Sequence, residues 1–193
     1  MWKEIAPAFK TMLALTILLG VLYPLATTGL AQLLFPEAAN GSLLMKDGRV
    51  VGSSLIGQGF SKPEYFHGRP SAAGNGYDPT SSGGSNYGPT NQKLIERVQA
   101  DIEKFRRENP EYSGPIPADL LTASGSGLDP DISPASALAQ APRVAKARRL
   151  PVETIREAIA RSTESPLLGF VGEPRVNVLR LNLALDQQLR AGR

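Results

Sequence analysis

The sequence contains no cysteine and only one histidine, His67, among its 193 residues. The absence of cysteine excludes disulfides, thiol catalysis, thiolate metal sites and lipidation of a cysteine. The single histidine excludes a metal site built from several imidazoles. A folded domain of this chain must therefore be held by packing alone, and we expect it to contain no metal site.

A second absence is that of charge at the N-terminal end. Residues 11–36 contain no Asp, Glu, Lys, Arg or His. At ~1.5 Å per residue a helix of this length would measure about 39 Å, which exceeds a hydrocarbon core of ~30 Å. The run predicts one membrane-spanning helix over residues 11–36. The alternative is a cleaved secretory signal, with small residues at Gly29 and Ala31, although a typical signal core is shorter.

Charge on either side of this run predicts its direction. Lys3 and Lys10 precede it, whereas Glu37 follows it and the next cation is Lys46. Positive charge favours the cytoplasmic side. We therefore expect residues 1–10 to be cytoplasmic and residues 37–193 to form an extracytoplasmic domain, in a bacterial-type periplasm or at an outer surface.

Small and hydroxylated residues lie within the apolar run. Pro24 removes one backbone donor and predicts a kink near Gly20. The residues that predict packing against partner helices in the membrane are Gly20, Pro24, Thr27, Thr28 and Gly29. A plain anchor remains the alternative.

The remaining residues, 37–193, suffice for one domain and are too few for two. The net charge is only +3. Four cations cluster at Arg143, Lys146, Arg148 and Arg149, but no aromatic residues lie between them as they would in a nucleic-acid surface. We interpret the cluster as a solvated helix face and expect no nucleic-acid partner.

Turn and capping signals predict a loop-rich α+β domain. Asp47-Gly48 predicts a hairpin that joins strands over Leu43–Met45 and Arg49–Ile56. The predicted helices begin after the caps Asn91 and Ser133, after Pro151, and after Asn177; the first ends at Asn109-Pro110, and Pro142 is predicted to break the second in two. The last includes Val178, Leu181, Leu185 and Leu189, although alternation over residues 176–185 also permits a strand.

The stretch 57–91 has neither helical nor strand periodicity, yet it is rich in aromatic residues. A loop this long in a compact domain is usually functional or disordered, and large rings argue against disorder. We interpret it as an ordered, irregular surface for a partner. Its candidate interface residues are Phe60, Tyr65, Phe66, His67, Arg69, Tyr77 and Tyr87.

No residue pattern predicts catalysis. The Gly-rich segment Ser82-Gly83-Gly84-Ser85 precedes a predicted helix, as a phosphate cradle does, but no Gly-Lys-Ser/Thr sequence follows it. The residues therefore favour turn geometry over nucleotide contact. A hydrolase triad of His67, Ser71 and Asp78 is disfavoured because no nucleophile-elbow pattern surrounds the serine.

Several motifs nonetheless occur in one order along the chain. They are Tyr65-Phe66-His67-Gly68-Arg69-Pro70-Ser71-Ala72, Ser82-Gly83-Gly84-Ser85-Asn86, Gly88-Pro89-Thr90-Asn91, residues 124–130 with Ile132-Ser133-Pro134, Arg175-Val176-Asn177-Val178-Leu179, and Leu181-Asn182-Leu183-Ala184-Leu185-Asp186. Together they resemble the C subunit of the Kdp-type potassium-transporting ATPase of bacteria. The resemblance extends from the N-terminal anchor to Asp186.

This resemblance implies an accessory subunit of a high-affinity potassium uptake pump in the bacterial inner membrane, within a hetero-oligomer. The ion-conducting and ATP-hydrolysing subunits would be separate chains, and this chain would have no cofactor of its own. The family is described as a catalytic chaperone that promotes ATP binding by the hydrolysing subunit. Ser82-Gly83-Gly84 matches the core of the ABC-transporter signature, with Ser85 in place of Gln.

The predicted orientation limits how such an effect could arise. An extracytoplasmic domain cannot touch cytoplasmic ATP, so any contact with ATP would come through the complex. We therefore expect a domain that stabilises the assembly from outside. The alternatives are a membrane-anchored extracytoplasmic enzyme or a solute-binding module.

Overall fold

The computed structural model describes residues 2–191. The chain forms two compact units, residues 1–51 and residues 52–193. The helices are α1 (Trp2–Ile17), α2 (Tyr23–Leu34), α3 (Pro36–Ala39), α4 (Gln92–Glu108), α5 (Pro134–Arg148), α6 (Val152–Ser162) and α7 (Val178–Ala191). The strands are β1 (Leu43–Lys46), β2 (Arg49–Ser53), β3 (Asp131–Ile132), β4 (Thr163–Glu164) and β5 (Arg175–Asn177), so the α+β class is confirmed.

The N-terminal helix extends beyond the uncharged run. Helix α1 begins at Trp2, because residues before Thr11 are compatible with a helix even though three of them are charged. A π-helical turn, Leu18–Leu22, joins α1 to α2, and the Tyr23 N–H bonds to the Leu18 carbonyl instead of to the residue four positions earlier. Lys3–Leu34 is the one stretch among the described residues that is long and apolar enough to cross a membrane.

The hairpin prediction is confirmed. Strands β1 and β2 pair, and the two residues between them have positive φ, 53° at Asp47 and 74° at Gly48. This is the backbone of a type I′ turn, whose twist matches that of the paired strands. Strand β2 ends at Ser53, earlier than the predicted Ile56.

The unit of residues 52–193 is organised around a three-stranded antiparallel sheet in the order β3-β5-β4. Ile132 pairs with Val176, and Val176 also pairs with Thr163. Helices α5, α6 and α7 supply most of the core beside this sheet. The core side chains are Phe66, Ile132, Ala137, Ala141, Val144, Ala145, Ile155, Ala158, Ile159, Val176, Val178, Leu181 and Leu185.

Three predicted caps are confirmed. The Asn91 side chain accepts from the Lys93 N–H at 2.9 Å, the Ser133 hydroxyl from the Ser136 N–H at 3.1 Å, and the Asn177 side chain from the Arg180 N–H at 3.1 Å. Each satisfies a backbone donor that the first helical turn leaves free. The last helix is therefore α7, preceded by the short strand β5.

The predicted break at Pro142 is wrong, because α5 continues through it to Arg148. Buried alanine and valine side chains lie on both sides of the proline and pack into the core. That packing outweighs the loss of one helical hydrogen bond, which disfavours proline inside a helix.

Candidate functional site

The irregular segment 57–91 is held to the core by two buried amide side chains. Asn182 on α7 accepts from the Phe66 N–H at 2.8 Å and donates to the Phe66 carbonyl at 3.0 Å. Gln140 on α5 does the same for His67, at 2.9 Å and 3.0 Å. The segment therefore pairs with helix side chains much as a strand pairs with a neighbour. Sequence reasoning missed both amides, whose only signal was a polar residue on an apolar helix face.

The basic cluster at the end of α5 is only half solvated: Lys146 and Arg149 are exposed, as the sequence-based interpretation expects, but the other two cations are not. Arg143 and Arg148 are both buried. Arg143 donates to the carbonyls of Pro63 and Tyr65 at 2.6 Å and 3.0 Å. It also donates to the side chains of Asn109 and Gln140 at 3.0 Å and 2.8 Å. Burial lowers the pKa of Arg143 to about 10, so the guanidinium stays charged at neutral pH.

Tyr77 stabilises the segment from within. Its hydroxyl donates to the Arg69 carbonyl at 2.5 Å. A Cβ on Gly68 would lie 2.7 Å from that hydroxyl, so Gly68 is required for the close approach. Burial, followed by the nearby charge of Asp129, raises the pKa of Tyr77 to about 12. The contacts of Tyr77 are thus intramolecular, and its ring is less available to a partner than we expected.

Arg69, Ser71 and Asp78 make structural contacts. Arg69 pairs with Asp129 at 2.8 Å. The Ser71 hydroxyl donates to the Gly127 carbonyl at 2.6 Å and accepts from the Tyr77 N–H at 2.7 Å. Asp78 accepts from both the N–H and the hydroxyl of Thr80. Ser71 and Asp78 therefore use their polar groups to hold turns, and the arrangement does not provide an activated nucleophile.

His67 is partly buried beside α4. Its Nε2 lies 3.1 Å from the Lys62 carbonyl and its Nδ1 lies 3.4 Å from a Glu108 carboxylate oxygen. Burial first, and the charge of Arg143 second, lower the pKa of His67. The imidazole is therefore neutral at neutral pH and its hydrogen bonds fix the loop.

A cleft of about 350 Å³ lies between α4 and the segment that contains His67 and Tyr77. Its charged lining residues are Arg69, Arg97, Asp101, Lys104 and Glu108. Opposite charges alternate there, and Arg97 lies 3.4 Å from Asp101. Among residues 2–191, no group of three or more His, Asp or Glu side chains is placed to hold a metal. The charged side chains of the cleft therefore balance one another, and they do not form a recognisable catalytic or metal-binding cluster.

The Gly-rich segment 82–85 packs against a second Gly-rich turn, residues 124–127. The Gly83 N–H donates to the Ser126 carbonyl at 2.8 Å, and the Ser82 hydroxyl donates to the same carbonyl at 3.0 Å. The next helix, α4, is capped by its own Asn91. Two donors of this segment, the Gly83 N–H and the Ser82 hydroxyl, are thus used inside the domain, whereas Ser85 lines the cleft beside α4.

The remaining interface candidates differ in exposure. Tyr87 is exposed, whereas the rings of Phe60 and Tyr65 are half-buried and lie 5.5 Å apart. Phe66 is fully buried in the core, so its selection as an interface residue was wrong. In the N-terminal helix the five predicted packing residues are all exposed: Gly20, Pro24, Thr27, Thr28 and Gly29.

Comparison with known proteins adds a family relationship to this geometry. Residues 5–187 match the family model described as KdpC, the c chain of the K+-transporting ATPase. The potassium-transporting ATPase KdpC subunit of Caulobacter vibrioides is 59% identical over 187 residues, which cover 96% of this chain and 94% of that protein. The KdpC subunit of Myxococcus xanthus is 56% identical, over 97% of this chain and 90% of that protein. The KdpC subunit of Rhodopseudomonas palustris is 54% identical, over 96% of this chain and 98% of that protein.

Proposed function

Because the chain belongs to the KdpC family of K+-transporting ATPase c chains, we propose that it is a non-catalytic accessory subunit of an ATP-driven potassium uptake complex. Its partners are the ion-conducting and ATP-hydrolysing subunits, which are separate chains. It stabilises their assembly in the inner membrane and promotes ATP binding by the hydrolysing subunit without binding ATP itself.

The N-terminal helix supports this assignment. Every residue of the apolar stretch Lys3–Leu34 is exposed except Ala31, which is half-buried, so nearly all of its surface is open to lipid or to other helices. Gly20 and Gly29 allow close approach of a neighbouring helix, and the Thr27 hydroxyl is bonded to the Tyr23 and Pro24 carbonyls at 3.0 Å. These features suit a single-pass helix that packs against membrane-embedded partners.

The orientation inferred from Lys3 and Lys10 gives the rest of the assignment. It puts residues 37–193 outside the cytoplasm, in a compartment that lacks ATP. The domain would then act by contact with the outer faces of its partners. An effect on ATP affinity then requires that binding of this subunit favour the state of the hydrolysing subunit that binds ATP. The contact surface and the ATP site would thus be coupled.

The observation that carries the proposal is that the Gly-rich segment 82–85 makes hydrogen bonds within the domain. The Gly83 N–H and the Ser82 hydroxyl both bond to the Ser126 carbonyl, so this segment serves the fold. A nucleotide contact through the Gly83 N–H or the Ser82 hydroxyl would have to break these bonds. Enzyme activity is equally disfavoured, because the polar groups of Ser71 and Asp78 hold turns.

The test compares pump purified with and without this subunit. We expect potassium-stimulated ATP hydrolysis to show a higher KM for ATP when the subunit is absent, and the purified chain alone to show no hydrolysis. A photoreactive ATP analogue should label the hydrolysing subunit and leave this chain unlabelled. Labelling of this chain that excess ATP prevents would contradict an indirect action. An unchanged KM would contradict any role in nucleotide binding.

A further inference from the structure

A short hairpin tip, residues 165–172, exposes a cluster of apolar side chains. Leu167, Leu168 and Phe170 are 70%, 78% and 77% exposed, and Val171 is 48% exposed. They are four of eight consecutive residues, none of which is charged. A contiguous apolar patch of this kind on a folded domain usually marks an interaction site.

The backbone of the tip forms an ordered, hydrogen-bonded hairpin. At its base, Glu164 on β4 pairs with Arg175 on β5. Closer to the tip, Leu167 and Val171 exchange two backbone hydrogen bonds of 3.0 Å and 2.9 Å. The Gly169 N–H donates to the Pro166 carbonyl at 3.0 Å. The apolar side chains therefore project from an ordered turn.

The conformation of Leu168 is unfavourable for an isolated domain. Its φ is 56°, in the left-handed region, and Gly169 follows with φ of 82°. Glycine or asparagine adopts this backbone more readily than leucine. Leucine here combines backbone strain with exposure of an apolar side chain to water. Such strain persists where function requires the side chain.

We propose that the tip inserts into an apolar groove on the extracytoplasmic face of another pump subunit, with Leu168 and Phe170 as its anchors. The inference rests on the proposed function, since it needs a partner subunit. Large apolar anchors in a desolvated pocket supply much of the binding energy of typical interfaces. Insertion would remove both side chains from water and compensate for the strained turn.

Charge favours a protein groove over a lipid surface. No Lys or Arg occurs between Arg161 and Arg175, and Glu164 and Glu173 flank the tip. The nearest cations downstream, Arg175 and Arg180, lie 3.0 Å and 3.5 Å from the Glu164 carboxylate. Segments that bind lipid surfaces are usually rich in Lys and Arg. A pair of identical tips would bring two Glu173 carboxylates together, which also disfavours a second copy.

The experiment uses the full chain in the pump. A Leu168→Asn, Phe170→Ser double variant removes both anchors, and asparagine suits the positive φ. The matched control, Leu138→Ser, removes an exposed apolar side chain from α5, which is not part of the tip. The measurement is the amount of chain retained on an affinity-tagged hydrolysing subunit, with the ion-conducting subunit present, after extended washing.

We expect the double variant to be retained at least tenfold less than the wild-type chain, and the control to be retained equally. The thermal midpoint of each purified chain is measured in detergent. If the double variant unfolds at a lower temperature than the wild-type chain, Leu168→Asn alone, which favours the turn, should still reduce retention at least threefold.

Other outcomes would overturn the proposal. Wild-type retention of every variant would show that the tip does not dock. Wild-type retention with reduced binding to phosphatidylcholine vesicles would assign the tip to lipid, and wild-type retention with reduced self-association in sedimentation would assign it to a second copy. If the wild-type chain itself is not retained, the proposed function fails first and the docking proposal fails with it.

Discussion

The guanidinium of Arg148 on α5 donates to the carboxylate of Asp186 on α7 across 3.0 Å, although only 2% of the Arg148 side chain is exposed. The same guanidinium donates from Nε to the Glu64 carbonyl at 2.7 Å and lies 5.2 Å from the centre of the Tyr65 ring. One buried charge thus joins two helices to the start of the irregular segment. The pair adds to the contacts of Asn182, Gln140 and Arg143 that hold that segment.

We predict that Asp186→Asn destabilises the folded chain by about 3 kcal/mol, because it leaves the Arg148 charge buried with its partner neutralised. The control is Glu153→Gln, which removes the exposed pair with Arg156 and should cost less than about 1 kcal/mol. Urea unfolding of both variants in detergent measures the difference. Equal losses of stability would contradict a special role for the buried pair.

The contrast between Arg148 and Asn91 shows what the sequence could predict. Asn91 acts through its own backbone neighbours, so the local pattern is enough to predict its cap. Arg148 acts through partners that are distant in sequence, Glu64 and Asp186. Because the sequence does not show which residues these cations contact, the cluster looks like a solvated helix face. The same reasoning applies to Gln140 and Asn182.

The sheet and the exposed tip were also beyond local patterns. Strands β3 and β4 contain two residues each, too few to show an alternation, and they exist because both pair with β5. In contrast, the turn at Asp47-Gly48 is determined by the two residues that form it. The turn and the caps were therefore predictable from their neighbouring residues, whereas the long-range pairing, and the core packing that keeps α5 helical through Pro142, were not.

Gly127 should be intolerant of substitution. Its φ is 67°, and a Cβ would lie 2.6 Å from both the Ala73 nitrogen and the Gly83 carbonyl oxygen. We predict that Gly127→Ala costs about 3 kcal/mol, from left-handed strain and from displacement of two backbone atoms. Gly125→Ala is the control, since its Cβ would meet nothing within 4 Å. Thermal melts that shift equally for both would contradict this explanation.

His67 should make stability depend on pH. Burial and Arg143, with Lys104 as a smaller cause, lower the pKa of His67 from its ordinary value of 6.5, while the Lys62 carbonyl and Glu108 oppose the shift. A lowered folded-state pKa means that the unfolded chain binds the proton more readily. The stability that comes from keeping His67 neutral in the folded chain is fully present above pH 6.5. It is lost as the pH falls through 6.5 towards the folded-state pKa of His67.

We therefore predict that the thermal midpoint of the wild-type chain falls between about pH 7.5 and pH 5.5, and that His67→Gln reduces this fall. Glutamine lacks the titration, so any pH dependence that remains in the variant belongs to groups other than His67. Melting curves of both chains at matched ionic strength provide the measurement. Parallel pH profiles would show that His67 does not titrate in this range.

The orientation of the chain can be tested with single cysteines, because the natural sequence has none and every label reports an introduced site. Ser82 and Lys93 are suitable positions in the domain, since both are exposed. Lys3, which precedes the apolar run and is also exposed, serves as the control for the opposite side.

In cells with a permeabilised outer membrane, we predict that a membrane-impermeant thiol reagent labels Ser82→Cys and Lys93→Cys. Lys3→Cys should react only after the inner membrane is broken, because the positive-inside bias places it in the cytoplasm. The reverse pattern would invert the orientation. Residues 37–193 would then share a compartment with ATP, and a direct contact of Ser82–Ser85 with nucleotide would become the better explanation of any effect on ATP affinity.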